Sequence, residues 1–268
     1  MQIVIKIGGD LLKEGIPHSL VKEIGILSKE HGVVLVHGGG DIVTDIATQL
    51  NHPPKFVVSP QGFKSRYTDK KTAEIFTMVM GGKINKEIIS AMQSQNVNAI
   101  GLTGLDGGLV RAKRKKKIVA INEKGRKMLM DGGYTGKVES VNHELLNLLL
   151  ENGYVPVISA LAMGESSEPL NVDGDRMASN IASALKADRL ILLTDVEGVL
   201  QDGKPIDRLN LKEAKDLMKE IGAGMITKVH AASEAVSSGV GEVVIGSGFI
   251  EGALVAALEH KSGTVISE

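Results

Sequence analysis

Lys6 is a lone cation inside an otherwise apolar strand, QIVIKI, and Gly8 and Gly9 follow it at once. A lysine buried in such a strand needs an anionic partner. Glycines beside it let backbone N–H groups approach the same anion closely. A second glycine run, Gly38, Gly39 and Gly40, stands between the strand pattern VVLVH and the helical pattern Ile42 to Leu50. A tight strand-to-helix turn explains one or two glycines; the third points to an anion site at a helix N-terminus. Asn171 and Asp175 bracket NVDGD ahead of a helix, Arg176 to Leu185. A carboxylate there can cap the helix, or it can orient lysines or a magnesium ion. Thr194 and Asp195 end the strand LILL and precede Gly198, at the strand end where ligands gather in parallel sheets. Lys228, in ITKVHAA, is unremarkable alone, since solvated lysines are common at helix starts.

Several other chemistries are excluded. The chain has no cysteine, which removes disulfides and thiolate ligands or nucleophiles. GGYTGKV, Gly132 to Val138, has the wrong spacing for a P-loop, and valine follows its lysine. Protein-kinase signatures are missing, and IGSGFIEG lacks the spacing of a dinucleotide fingerprint. An EF-hand loop starting at Asn171 would need glutamate at its twelfth position, where Ala182 stands. No His/Asp/Glu spacing suggests a dedicated metal site, and His37 reads as a strand-end hydrogen-bond donor rather than a ligand. The net charge of −1 argues against a general nucleic-acid binder. No apolar run approaches the roughly 18 residues of a membrane span, and MQIVIKIGGD does not read as a signal sequence. A cytoplasmic location is the default expectation.

The elements that must position these residues alternate. Strands are expected at Gln2–Ile7, from Val33 to His37, and at Lys55–Ser59, Asn98–Leu102, Val155–Ser159, Leu190–Leu193 and Glu242–Ile245. Helices are expected at Ser19–Glu30, Ile42–Leu50, Asn142–Asn152, Arg176–Leu185, Leu211–Ile221, Lys228–Ser238 and Ile250–His260, with a long one, Lys70–Gln93, interrupted near Gly81-Gly82. Pro60–Asp69 and Gly132–Val138 read as loops, and Leu109–Ile121 and Val199–Pro205 as hairpins. This rhythm predicts an α/β fold, a three-layer αβα sandwich around a mainly parallel sheet. Two lobes are expected, 1–170 and 171–268, divided just behind the polar stretch Leu161 to Glu168.

A cationic run, Arg111, Lys113, Arg114, Lys115, Lys116 and Lys117, sits on the first hairpin, with Lys124, Arg126 and Lys127 near it. A solvated turn explains it. Without interleaved aromatics it does not resemble a nucleic-acid platform, but it suits electrostatic docking of an acidic protein.

Taken together, KIGG, HGGG, NVDGD, TDVEGV and TKVHAA stand in the order and spacing of N-acetylglutamate kinase relatives. Over essentially its whole length the chain resembles the amino acid kinase family. The segment GFKSRYTD, Gly62 to Asp69, is similar to the branch acting on 2-aminoadipate or glutamate tethered to an acidic LysW-type carrier protein. The resemblance implies an ATP-dependent kinase making an acyl phosphate on the side-chain carboxylate, with Mg2+ bridging the ATP phosphates, and a homodimer formed through the first lobe. It assigns Lys6 and Lys228 to the transferring phosphoryl group and Asp175 to holding both lysines. Gly8 and Gly9, with Thr194 and Asp195, fall to the nucleotide. Gly39, Gly40, Arg66 and Asn171 fall to the acceptor, with Ser65 and Tyr67 lining its pocket. Lys64 departs from the pattern, because an arginine is usual there and lysine lacks the planar fork for a carboxylate. A kinase of free N-acetylglutamate is the nearest alternative and a non-catalytic nucleotide-sensing subunit a distant one. Uridylate and carbamate kinases fit the SRYTD segment poorly.

Overall fold

The computed structural model describes residues 1–121, 124–201 and 203–268. Strand β1 (Gln2–Ile7) pairs parallel with β2 (Gly32–His37), and helix α1 (His18–Leu27) crosses between them. Helix α2 (Gly40–Gln49) leads to an antiparallel flap, β3 (Lys55–Val58) and β4 (Lys64–Tyr67). Then come α3 (Lys70–Thr77), a π-helical segment (Met78–Ile84), α4 (Asn85–Ser94) and β5 (Ala99–Thr103). A β ledge follows: β6 (Val110–Arg114), β7 (Lys117–Ile121), β8 (Lys127–Asp131) and β9 (Gly136–Val141). After α5 (His143–Glu151) the chain returns to the main sheet as β10 (Val155–Ser159), then adds β11 (Leu161–Met163) and β12 (Pro169–Asn171) to the ledge.

The second part begins with α6 (Gly174–Leu185) and β13 (Arg189–Thr194). The short ribbon β14 (Leu200–Gln201) and β15 (Lys204–Pro205) follows, then β16 (Arg208–Asn210), α7 (Leu211–Leu217) and α8 (Ala223–Ser237). The chain ends with β17 (Glu242–Ser247), α9 (Ala253–Leu258) and β18 (Thr264–Ser267). Eight strands form one sheet in the order β16-β18-β17-β13-β1-β2-β10-β5. Every pair from β17 to β5 is parallel, and β18 is antiparallel to β17.

Side-chain parity along the central strands builds the three layers. Val4, Val34 and Val36 point to one face and pack with Met177, Ile181, Val229 and Val236 of α6 and α8. Ile3, Ile5, Val33 and Leu35 point to the other and pack with α1, α2, α3, α4 and α9. Burial on both faces explains the unbroken apolar runs of these strands. Lys6 has the parity of Val4. Its side chain therefore emerges on the α6 side of a central strand, between Val36 and Leu192, and not at a sheet edge.

Three expectations change. Pro60–Asp69 is not all loop: Lys64–Tyr67 is a strand whose charged residues carry no apolar alternation. Gly132–Val138 likewise contains the start of β9. Leu109–Ile121 is not one hairpin, because β6 pairs with β9 while β7 pairs with β8. The hairpin over Val199–Pro205 is present as β14 and β15, although Asp202 within it lies outside the described residues.

Candidate active site

The main sheet turns its order at β1, which has β2 on one side and β13 on the other. Loops at the carboxyl ends of these strands diverge there and open a crevice. Three sequence-predicted residues meet beside it. Lys6 Nζ lies 2.7 Å from Asp175 Oδ1, and Lys228 Nζ lies 3.1 Å from Asp175 Oδ2. Lys228 donates an aligned hydrogen bond, whereas the Lys6 contact is an ion pair outside hydrogen-bond alignment. Asp175 is placed by the first turn of α6, capped by Asp173, whose side chain accepts the Arg176 N–H at 2.9 Å. Capping and lysine binding thus fall to different aspartates of NVDGD. Lys228 does not open its helix; it stands in the second turn of α8, whose start is hidden in sequence by Gly222 and Gly224.

Burial alone would push the Asp175 carboxyl up, but Lys6 and Lys228 outweigh it and hold the pKa at about 2. For Lys6, burial pulls the ammonium down and Asp175 more than compensates, so its pKa is raised. Lys6 therefore stays charged beside an ionised carboxylate. With one negative charge between two positive ones, the triad keeps a net positive charge at 6% exposure of Lys6 and 4% of Asp175. A poorly solvated cation pair of this kind favours an incoming anion.

The glycine loops lie back to back. A Cβ on Gly9 would sit 3.2 Å from Gly39 N, and a Cβ on Gly39, whose φ is +143°, would collide with Ile84. The Gly8 N–H is used by the Leu193 carbonyl at 3.1 Å and the Gly38 N–H by Ile7 at 2.9 Å. Gly8 therefore closes the strand ends together. Gly39 and Gly40 begin α2, where helix N–H groups have no intrahelical acceptor. Thr194 donates to Asp195 at 2.9 Å at the end of β13.

A cleft of about 710 Å³ lies next to this cluster, with Asp173 and Gly174 in its wall and Lys6, Asp175 and Lys228 behind them; Gly39, Gly40, Lys64, Ser65, Arg66 and Asn171 line it as well. Arg66 is 8% exposed. Its Nη2 donates to the Gly40 carbonyl at 2.7 Å and to Thr44 Oγ1 at 2.9 Å. Its Nη1 is buried without a protein hydrogen-bond partner among the described residues. Burial lowers the guanidinium pKa without discharging it. Asn171 is fixed through its Nδ2, which donates to Thr68 Oγ1 at 2.9 Å. Tyr67 is placed elsewhere: strand alternation turns it away from Arg66 into a separate small cleft with His52, Lys55 and Thr72. At the flap tip, Phe63 meets His230 of α8 edge to face at 5.7 Å, so the flap spans the cleft mouth.

The cationic run divides. Arg114 donates to the Gly133 carbonyl at 2.6 Å and covers the Tyr134 ring, a structural role. Lys115 turns to the cleft wall beside Lys137 and Arg176. Lys117 stands opposite Asp131 in the β7–β8 ribbon, and Arg111 and Lys113 face outward. No sequence signal marks Lys137 or Arg176, because the wall exists only once β9 and α6 are brought side by side. Among the described residues no group of three His, Asp or Glu side chains converges as a metal site.

The strand ends join two glycine loops to a lysine–aspartate–lysine cluster, and residues 1–247 match the amino acid kinase family model. The chain belongs to the amino acid kinase family. Within that family it is similar to the [LysW]-aminoadipate/[LysW]-glutamate kinase of Saccharolobus solfataricus, 49% identical over 99% of each chain. The protein of that name from Saccharolobus islandicus is 48% identical over 98% of each chain. Among solved structures, N-acetylglutamate synthase from Neisseria gonorrhoeae matches the fold with a TM-score of 0.82 at 22% identity, over all of this chain and 59% of that one.

Proposed function

We propose that this chain transfers the γ-phosphoryl group of ATP to the side-chain carboxylate of 2-aminoadipate or glutamate carried by an acidic LysW-type protein. The observation that carries the reading is the Lys6–Asp175–Lys228 triad behind the cleft wall of Asp173 and Gly174, in a chain about half identical to kinases of that name. The acceptor carboxylate, with a reference pKa near 4.3, is already ionised and needs no general base. One of its oxygens forms a bond to the γ-phosphorus as the bond to the β–γ bridging oxygen breaks. ADP departs with that electron pair, and an acyl phosphate remains. Bringing two anions together is the obstacle, so positioning and charge stabilisation supply most of the catalysis.

In this reading Lys6 and Lys228 flank the phosphoryl group, and Asp175 sets their spacing. N–H groups of Gly9, Gly39 and Gly40 donate to phosphate, and Arg66 Nη1 and Asn171 orient the acceptor, with Ser65 and Lys64 at its rim. Thr194 and Asp195 belong to the nucleotide side. Residues 1–170 form the acceptor lobe and 171–268 the nucleotide lobe. Magnesium would accompany ATP and offset the charge of its phosphates, and among the described residues no group of three His, Asp or Glu side chains converges to hold it. The carrier approaches along the wall of Lys115 and Lys137, with Arg111 and Lys113 on the outer face. A homodimer through the first lobe belongs to the same proposal, and sedimentation measures it.

Incubation with ATP, magnesium and carrier-linked aminoadipate or glutamate, with hydroxylamine present, tests the reading. Hydroxamate formation that requires the carrier adduct is the expected result. Turnover of free N-acetylglutamate with none of either adduct would replace the proposal by its nearest rival.

A further inference from the structure

His37 ends β2 at 0% exposure. Its Nδ1 lies 2.9 Å from the Gly38 carbonyl, and its Nε2 lies 3.2 Å from Asn85 Nδ2. Asn85 is itself buried and fixed. Its Nδ2 also donates to the Val157 carbonyl at 3.0 Å, and its Oδ1 accepts from Lys86 Nζ at 3.0 Å. Reversing that amide would set an oxygen against the Val157 carbonyl and a nitrogen against an ammonium. The amide orientation therefore decides the imidazole tautomer. With Asn85 donating, Nε2 must accept, so Nδ1 carries the proton and donates to Gly38.

That bond also orients the other end of the same peptide unit. In a planar trans peptide the C=O and N–H point in opposite directions. Drawing the Gly38 carbonyl towards the His37 ring thus fixes the direction of the Gly39 N–H. We infer that His37, held in one tautomer by Asn85, is a positioning residue that aims the Gly39 N–H of the glycine loop into the cleft. The inference rests on the proposed function for what that N–H meets there.

Two features of the surroundings serve the same arrangement. The wide π turn at Met78–Ile84 precedes Asn85 and brings Ile84 against Gly39; such turns are rare and recur at functional sites. Gly101 of β5 leaves the room that Asn85 occupies, since a Cβ there would collide with Asn85 Oδ1. The charged group facing the ring is Lys86, and burial holds the imidazole pKa down at about 4, so the ring stays neutral as the arrangement requires.

Replacing His37 separates positioning from packing. His37→Asn keeps an N–H donor at the Nδ1 position, and His37→Leu removes it. The expected result is a kcat at least tenfold lower for His37→Leu, KM for ATP within about threefold of wild type, and substantial recovery in His37→Asn. Equal kcat in the two variants at equal melting temperature would overturn the inference. If both variants unfold, ring 15N chemical shifts of the intact protein decide it. A neutral, Nδ1-protonated ring from about pH 5.5 to about 8 is expected, whereas an Nε2-protonated ring or an imidazolium in that range would overturn it. A kinase assay that failed altogether would sink the proposed function and leave the tautomer measurement standing.

Discussion

Without Asp175, the ammonium groups of Lys6 and Lys228 would face each other with little water to separate them. The carboxylate turns that repulsion into a fixed spacing, one lysine on each oxygen. Removing one partner of a buried ion pair leaves the other charge uncompensated, at a cost of about 3–5 kcal/mol. Asp175→Asn is therefore expected to lower stability by that order in denaturant titrations and to reduce kcat as the lysines lose their spacing. An unchanged unfolding midpoint would mean that the pair contributes nothing to the fold. Arg66 shows the opposite arrangement at this scale, with Nη2 engaged by Gly40 and Thr44 and Nη1 left over. Half of a planar fork is used to hold the residue, and in the proposed reading the other half takes the acceptor carboxylate.

At the scale of elements, the cleft wall matters most. β9 and α6 bring Lys115, Lys137 and Arg176 together from three separate stretches of chain. Lys115→Glu combined with Lys137→Glu is expected to raise KM for the carrier adduct at least tenfold, more steeply at low salt, while KM for ATP stays put. A carrier KM that ignored both charge and salt would return the run to a solvated turn. The same elements mark where sequence reading worked. β1, β2, β10 and β13 were legible because burial on both faces leaves continuous apolar runs, and the parity of Lys6 within QIVIKI already implies one face. The flap strand Lys64–Tyr67 was not legible, since a strand of charged residues over a cleft carries no alternation. Strand β8, KMLMD, was missed because the pairing of β7 with β8, rather than β6 with β7, is decided by tertiary packing. His37 was legible as a hydrogen-bond donor, but its link to Asn85 spans 48 residues and depends on a π turn that the helical periodicity of Lys70–Gln93 does not reveal.

On the scale of the whole molecule, one sheet carries both halves of the site, so the two lysines are registered through β1 and the helices packed on it. No helix among the described residues is long and apolar enough to cross a membrane. The site's charges also predict how the fold responds to pH. Asp175 has a folded pKa of about 2, below its unfolded value near 3.9. Its contribution is thus complete above about pH 4 and lost as pH falls towards 2. Lys6 is raised, so its contribution is complete below its unfolded pKa near 10.4 and lost as pH rises through the higher folded value. Asp173, raised by burial and by the charge of Asp175, acts against Asp175 on the acid side. Melting temperature against pH is therefore expected to fall between about pH 4 and 2, with a shallower fall in Asp175→Asn. An identical acid limb in that variant would show that other carboxylates govern it.

A double-mutant cycle on phosphoryl transfer to the carrier adduct tests the triad most directly. Lys6→Ala and Lys228→Ala are each expected to lower kcat by about 10²–10³, the size of losing one donor to developing charge. In the proposed reading both lysines act through Asp175 on one phosphoryl group, so the double variant should lose far less than the product of the two. Wild-type turnover in either single variant, or losses that simply multiply, would contradict a pair of lysines working as one unit.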